Sequence, residues 1–301
     1  MTAKASPIDV ISGARAGMRR AAVRRTVTAV IEGKRQRLSL DVNERGLDVV
    51  AVVNHLTAHL QSEGPEMLRL VGALQQTGAT DGLIEDLAST DPRRQAQSAR
   101  MLGTLRIEPA VPWLVPLLAS PEAMVSEAAA RALGKIGGAR SAEALLGGMQ
   151  RSGPRRVFIV ALARAAPDLF LEVALAGNHR PGVLQGVALA AGLRRRQASV
   201  RPLVELLLWG SRRERAASCR ALGWMGAETA VPVIVGALGD RDWRVRVSAA
   251  KTLAVLQAHL YFAEIDALRQ DRDPHVRKAA RWAARRLYKS LPRSEGWWTW
   301  R

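Results

Sequence analysis

Small and apolar residues recur along the chain in a pattern that predicts paired helices. Alanine-rich runs such as "RRQAQSARMLGTL" and "VSEAAARALGKIG" carry small residues at three- and four-residue spacing, as in a helix that packs closely against its neighbours. A turn containing Asp or Pro precedes most runs, and these residue types favour the start of a helix. A proline-containing apolar segment follows, as in "AVPWLVPLL". The pattern therefore predicts hairpins, each made of a first, alanine-rich helix and a second helix.

These hairpins repeat with a nearly constant period. The residues near the end of each alanine-rich run follow one another at steps of 31, 31, 29, 29, 31, 31 and 31, and they are Gly72, Gly103, Gly134, Ala163, Gly192, Gly223, Ala254 and Arg285. One hairpin cannot bury its own apolar faces, whereas stacked hairpins share a continuous core. Such a period is typical of a solenoid. The predicted fold class is all-α, a right-handed α-solenoid of about seven helical hairpins.

Two units carry a resemblance to a known family. "DPRRQAQSARMLGTLRIEPAVPWLVPLL" and "SRRERAASCRALGWMGAETAVPVIVGAL" resemble bacterial HEAT repeats of the short, phycobilisome-lyase-like kind. The resemblance covers roughly residues 65–287, and it is weakest at 150–210, where the periodic glycine is partly lost. It implies a scaffold for protein–protein interaction more than any one activity, because such arrays serve in many unrelated systems.

The sequence predicts three parts in the chain. Residues 1–46 form a basic N-terminal helical segment, 47–290 the solenoid, and 291–301 a tryptophan-rich tail. The predicted repeats lie near 65–89, 90–119, 120–150, 151–177, 178–209, 210–239, 240–270 and 271–290. Within 8–32 the apolar residues fall near one helical face, so this helix either packs on the first repeat or lies on an anionic membrane. Both alternatives stay open at the level of sequence.

Positive charge is concentrated at the two ends of the chain. The net charge is +18; residues 1–46 hold ten bases and four acids, and residues 271–301 hold nine bases and three acids. Basic ends favour an acidic partner, nucleic acid or an anionic membrane, although a polar terminal cap accounts for them as well. The candidate residues for nucleic-acid or membrane contact are Arg19, Arg20, Arg24 and Arg25.

The predicted second helices have the opposite charge balance. Across six segments between 107 and 270 they contain seven acids and three bases. The HEAT resemblance implies that second helices line the inner face of the array. A neutral to acidic lining suits a protein segment better than a nucleic-acid backbone, which requires basic residues. The predicted contacts for a protein partner on this face are Trp113, Pro116 and Leu203.

A second group of candidate partner contacts lies at the C-terminus. The tail contributes Trp297, Trp298 and Trp300, and the last helix contributes Arg277, Lys278, Arg281, Arg285 and Arg286. Tryptophan and arginine dominate docking hot spots, and indole rings are costly to leave in water. The alternative is that the tail only covers the last repeat. Asp242 with Arg246, and Asp273 with Arg277, have i, i+4 spacing and are predicted to form structural ion pairs.

The sequence contains no recognisable catalytic, metal or cofactor motif. His55 and His59 would share a helix face without further ligands, and Cys219 lies in an alanine-rich helix as a small packing residue. The prediction is a non-enzymatic cytoplasmic scaffold with no cofactor and no small-molecule substrate; a peripheral membrane location is the alternative. Nucleic-acid binding through the basic ends is the second hypothesis for function. A HEAT-type lyase or DNA glycosylase ranks third, because the acidic second helices disagree with a basic inner face.

Overall fold

The computed structural model describes residues 20–36, 52–53, 55–57, 60, 64–76 and 78–290. Within these residues the regular structure is helical and no strand occurs, which confirms the predicted all-α fold class. The chain divides into two compact units, Met1–Gly148 and Met149–Arg301. The predicted boundaries near 46 and 290 stay predictions.

The first unit consists of successive helical hairpins. After a helical stretch at 20–31 come α1 (Pro65–Gln76), α2 (Ala79–Glu85), α3 (Pro92–Thr104), α4 (Val111–Leu117), α5 (Ala123–Ile136) and α6 (Gly138–Ser152), which crosses the boundary between units. Short 3-10 turns occupy Asp86–Ala88 and Glu108–Ala110. The first helices α3 and α5 pack side by side, and the second helix α4 packs on α5.

The second unit repeats this arrangement several times. Its helices are α7 (Arg156–Ala165), α8 (Phe170–Ala176), α9 (Val183–Arg194), α10 (Val200–Trp209), α11 (Arg212–Met225), α12 (Val231–Gly236), α13 (Trp243–Val255), α14 (Phe262–Ala267) and α15 (Pro274–Ser290). The 3-10 turns are Gln197–Ser199, Glu228–Ala230, Ala237–Gly239, His259–Tyr261 and Leu268–Gln270. The first helices α9, α11, α13 and α15 pack in succession, and α10, α12 and α14 each pack on the following first helix.

Side-chain caps define where several first helices begin. The Asp91 carboxylate accepts a bond from the amide of Arg93 at 2.9 Å at the start of α3, and Asp242 accepts one from Arg244 at 2.8 Å at the start of α13. A capping box of Ser211 and Glu214 starts α11. These contacts satisfy amides that the helix itself leaves free. The Asp-containing turns predicted from sequence therefore act as helix caps.

The periodic glycines mark the closest approach of neighbouring first helices. A Cβ placed on Gly103 would lie 2.4 Å from the Cα of Ala132, and one on Gly192 would lie 2.6 Å from the Cα of Ala221. Both distances are far below van der Waals contact, so only glycine fits there. The position of Gly72 in the same period is open, with nothing within 4 Å of an added Cβ.

The N-terminal helical stretch packs within the first unit. Val23 and Val27 are fully buried, and Val30 is buried as well. The guanidinium of Arg69 in α1 donates a bond to the carbonyl of Ile31 at 2.8 Å. For the described residues 20–31 of this helix, the structure therefore shows packing on the first repeat, and these valines are not available to a membrane.

Candidate functional site

Two bidentate ion pairs join successive hairpins of the second unit. Arg215 donates through Nε and Nη2 to both carboxylate oxygens of Asp240, at 2.7 and 2.8 Å. Arg246 binds Asp271 in the same way, with both distances 2.8 Å. In each pair the carboxylate lies 25 residues after the arginine, in the turn that precedes the next first helix. We call this series the Arg–Asp ladder.

The ladder differs from the ion pairs predicted at i, i+4 spacing. Asp242 and Asp273 do not pair with Arg246 and Arg277, so that prediction is wrong. Their carboxylates cap α13 and α15, where they accept bonds from the amides of residues 244 and 275 at 2.8 Å. Because the cap draws each of these carboxylates to the backbone, the guanidinium of Arg246 reaches the next turn instead.

The ladder changes the acidity of its carboxylates. The bond from Arg246 lowers the pKa of Asp271, against the opposing effect of burial. Burial by itself would raise the pKa of Asp240, but the bonds from Arg215 and from the amide of Asp242 outweigh it, and the net shift is downward. Both pairs are therefore ionised throughout the neutral pH range.

These shifts predict how stability depends on pH. A carboxylate whose pKa is lower in the folded chain contributes stability above its unfolded pKa of about 3.9, and loses it as pH falls through the folded value. We expect the free energy of unfolding to stay nearly constant between about pH 7 and 5 and to fall steeply below about pH 4. In Asp271→Asn this acid-induced fall should be shallower, as measured by urea unfolding across the range. Glu228→Gln, which changes an exposed carboxylate, is the control and should follow the wild-type profile; a parallel profile for Asp271→Asn would contradict the coupling.

An apolar groove lies between the second helices α10 and α12. Its volume is about 680 Å³, and its lining includes Leu207, Leu208, Pro232 and Val233, with the Arg215–Asp240 pair also on its wall. Beside it the side chain of Trp209 is 84% exposed, and Leu208 is 52% exposed. Large apolar side chains that stay in water in this way are typical of interaction surfaces.

Leu203 does not belong to this surface. It is 0% exposed, so its prediction as a partner contact is wrong. On α10 the residues Leu203 and Leu207 are one turn apart and both point into the core, which directs Leu208 and Trp209 outward. Sequence reasoning missed these two residues because the segment is apolar on nearly all sides, and only packing shows which side is buried.

The first unit exposes predicted contacts on α4. Trp113 is 57% exposed and Pro116 is exposed, whereas Leu114 between them is fully buried. Both predicted residues are thus accessible on the surface of the first unit. Their role in binding stays a prediction.

The first helices of the second unit carry a strongly basic charge. Helices α11, α13 and α15 together contain thirteen lysines and arginines and one acid, Glu214. Glu214 is buried in the capping box of α11. The acids of this region lie mainly in turns and second helices. The surface formed by the first helices is therefore positive, in addition to the two chain ends whose positive charge the composition indicates.

The predicted basic residues of α15 are mostly exposed. Lys278, Arg281 and Arg285 are exposed and take part in no ion pair within the described residues. Arg286 donates to the carbonyl of Ala254 at 3.3 Å, and its guanidinium lies 5.7 Å from the ring centroid of Trp282. These side chains form one basic surface with an exposed indole ring.

The remaining candidate residues divide between described and undescribed parts of the chain. Arg20, Arg24 and Arg25 are exposed on the helical stretch 20–31. The predicted contacts Arg19, Trp297, Trp298 and Trp300 lie outside the described residues.

Among the described residues, no group of three or more His, Cys, Asp or Glu side chains could hold a metal ion. None of the described helices combines the length and apolarity needed to cross a membrane. Cys219 is buried, and burial raises the pKa of its thiol to about 12, so it is a protonated core residue rather than a nucleophile.

Comparison with known proteins identifies the repeat. The model for HEAT repeats matches residues 80–166 and 210–285, more than half of the chain. Among solved structures, human deoxyhypusine hydroxylase in complex with glycerol is 19% identical, with 93% of this chain and 99% of that one covered and a TM-score of 0.36. A Kap121p mutant is 13% identical, with 95% and 39% covered and a TM-score of 0.44. No curated protein sequence matches the chain. The structural likenesses are too distant to support any conclusion about function.

Proposed function

Because the chain belongs to the HEAT-repeat family, we propose that it is a non-catalytic scaffold that binds a protein partner on its second-helix surface. The predicted HEAT resemblance is confirmed, while the narrower bacterial, phycobilisome-lyase-like kind stays a prediction. The groove between α10 and α12, with the exposed Trp209 beside it, is the observation that carries the proposal.

The chemistry of the groove favours an apolar protein segment. Leu208, Pro232 and Val233 offer aliphatic surface. The charges on its wall are the Arg215–Asp240 pair and Arg241, and on α10 Arg201 and Glu205 pair with each other at 3.2 Å. A nucleic-acid backbone needs several cations in a row, which the second helices of this unit do not supply. An apolar side chain from a partner would fill the groove, and the exposed ring of Trp209, which follows Leu208 on α10, would add contact area as in a docking hot spot.

A comparison of two tryptophan variants tests this proposal. Trp209→Ala should weaken binding of the partner by roughly tenfold or more, because truncating a hot-spot aromatic costs about 2 kcal/mol. Trp224→Ala is the matched control, since Trp224 is 40% exposed on the first helix α11. Proteins captured on the wild type and lost on Trp209→Ala would be purified and titrated by calorimetry. Equal affinity of both variants for the purified partner would contradict the proposal.

Nucleic-acid binding is the second candidate, and the basic first helices favour it. Arg215 and Arg246 are buried in the Arg–Asp ladder, but the other bases of α11, α13 and α15 form a surface that would attract phosphates. Such binding should weaken steeply with salt, in proportion to the number of phosphates neutralised. If the contacts predicted from sequence are used, binding would also weaken when Arg19, Arg20, Arg24 and Arg25 are changed to Gln. Binding that is insensitive to salt would leave the protein-scaffold proposal as the better one.

A further inference from the structure

The Arg–Asp ladder continues to a third arginine that binds no carboxylate among the described residues. Arg277 occupies in α15 the position that Arg215 and Arg246 occupy in α11 and α13, each 31 residues apart. Within the described residues it makes no ion pair, and its hydrogen bonds there go to backbone carbonyls. In the described part of the chain, the last arginine of the ladder thus lacks the carboxylate that the first two have.

The backbone holds Arg277 in the same way as Arg246. The Nη1 of Arg246 donates to the carbonyls of residues 240 and 241, at 2.8 and 3.4 Å. The Nη1 of Arg277 donates to the equivalent carbonyls of residues 271 and 272, at 2.9 and 3.0 Å. In Arg246 this anchor leaves Nε and Nη2 to bind Asp271. The same two donors of Arg277 are thus held in place and unused.

We propose that Arg277 is a preformed binding site for an Asp or Glu carboxylate of a partner protein, which completes the Arg–Asp ladder from outside. A planar guanidinium whose position is already set loses little freedom when it forms two parallel bonds to a carboxylate. The site differs from the groove between α10 and α12, so the proposal does not depend on the function proposed above.

The surface around Arg277 suits an acidic segment. Arg281 and Arg285 follow it at four-residue spacing on α15, which places the three side chains in one row about 6 Å apart. Lys278 adds a further exposed cation, and Arg277 itself is half-buried. No acid lies on α15 itself. Two or three carboxylates on one face of a partner would match this row.

The same face is unsuited to another helix of the repeat. The first helices α9, α11 and α13 have Gly192, Gly223 and Ala254 at the position where the next first helix packs. A Cβ added to Gly223 would lie only 3.0 Å from the side chain of Thr252. In α15 this position is Arg285, which is exposed and too large for such a close approach. A further hairpin could not pack there in the same register, so this row suits a partner of different shape.

The two complete pairs of the Arg–Asp ladder favour an Asp-containing turn, rather than a phosphate, as the ligand of Arg277. In both, the carboxylate that receives the arginine also accepts the amide two residues later, from Asp242 onto Asp240 and from Asp273 onto Asp271, at 2.8 Å. The guanidinium groups of Arg215 and Arg246 thus each bind a carboxylate that is held in an Asp-x-Asp turn. A partner segment that contains such a turn presents the same acceptor.

The test measures binding of acidic probes to the full chain. The probe is a fluorescein-labelled oligo-aspartate peptide of about twelve residues, followed by anisotropy at low salt, with oligo-asparagine and an oligothymidylate of equal length as comparisons. Arg277→Lys keeps the charge but cannot form two parallel bonds, so it should weaken oligo-aspartate binding by about tenfold. Arg213→Lys, the same change at an exposed arginine of α11, should have no effect.

Two further variants test the site in case Arg277→Lys disturbs the first turn of α15. Arg281→Gln and Arg285→Gln alter exposed side chains of the row and should each weaken binding several-fold without a change in melting temperature. Equal effects of Arg277→Lys and Arg213→Lys would overturn the proposal. So would an oligothymidylate that binds more tightly than oligo-aspartate and responds equally to Arg277→Lys, since the site would then recognise phosphate.

A truncated chain tests whether the C-terminal segment supplies the carboxylate that binds Arg277. Glu295 is the only acidic side chain after Arg277 in the sequence. Deleting residues 294–301 should leave oligo-aspartate binding unchanged. If the probe binds only after this deletion, the carboxylate that completes the ladder belongs to the chain itself, and the partner proposal is wrong.

Discussion

Replacing Gly103 by alanine should destabilise the first unit by about 3 kcal/mol, at the upper end of the cost of overpacking. The added methyl would lie 2.4 Å from the Cα and 2.8 Å from the Cβ of Ala132. Because the colliding atoms belong to a neighbouring helix and not to a flexible side chain, α3 and α5 must move apart to accept it. Urea unfolding followed by circular dichroism gives the free energy.

Gly72→Ala is the matched control for this prediction. It changes the glycine at the same place in the repeat period, inside α1, where an added Cβ meets nothing within 4 Å. Alanine is the better helix former, so this variant should be more stable than wild type by about 0.5–1 kcal/mol. Gly192→Ala should behave like Gly103→Ala in the second unit. If Gly103→Ala were as stable as wild type, close helix approach would not explain the periodic glycines.

Removing Arg246 should cost about 3 kcal/mol of stability, the largest effect expected for a polar side chain in the second unit. Its side chain and that of Asp271 are only 7% and 9% exposed. Arg246→Ala leaves the carboxylate of Asp271 largely buried without its partner, and two backbone carbonyls also lose a donor. Arg246→Lys keeps the charge but loses the paired bonds, so we expect an intermediate loss.

An exposed ion pair in the same unit is the control. Arg201 and Glu205 are 90% and 60% exposed, so Arg201→Ala should change the free energy of unfolding by less than about 0.5 kcal/mol. In a double-mutant cycle, Arg246→Ala combined with Asp271→Asn should cost less than the sum of the single changes. Additive costs would show that the two side chains do not stabilise the fold as a pair.

The features that depend on nearby residues were predictable from sequence. The period of the small residues indicates helical hairpins, because the spacing of buried positions on a helix is set by its geometry. The aspartates before α3 and α13 mark the helix starts, since a cap involves residues only two positions apart. The exposure of Trp113 and Pro116 also agrees with their predicted surface position.

The partner of Arg246 was not predictable, because two carboxylates compete for it. Asp242 is four residues away and Asp271 is 25 residues away, and sequence spacing favours the nearer one. In the folded chain Asp242 caps α13, and Asp271 comes within 2.8 Å only after the next hairpin has packed. The choice between them is made by tertiary structure.

The sequence by itself determined the all-helical repeat, the helix starts and the basic character of the last helix, because these follow from local periodicity, capping and composition. Tertiary structure decided which apolar side chains are buried and which stay exposed. On α10 the rotation that buries Leu203 and Leu207 leaves Leu208 and Trp209 in water. It also decided that, among the described residues, Arg277 is held by backbone carbonyls and by no carboxylate. Both results depend on the packing of neighbouring hairpins, and no spacing within one hairpin specifies that packing.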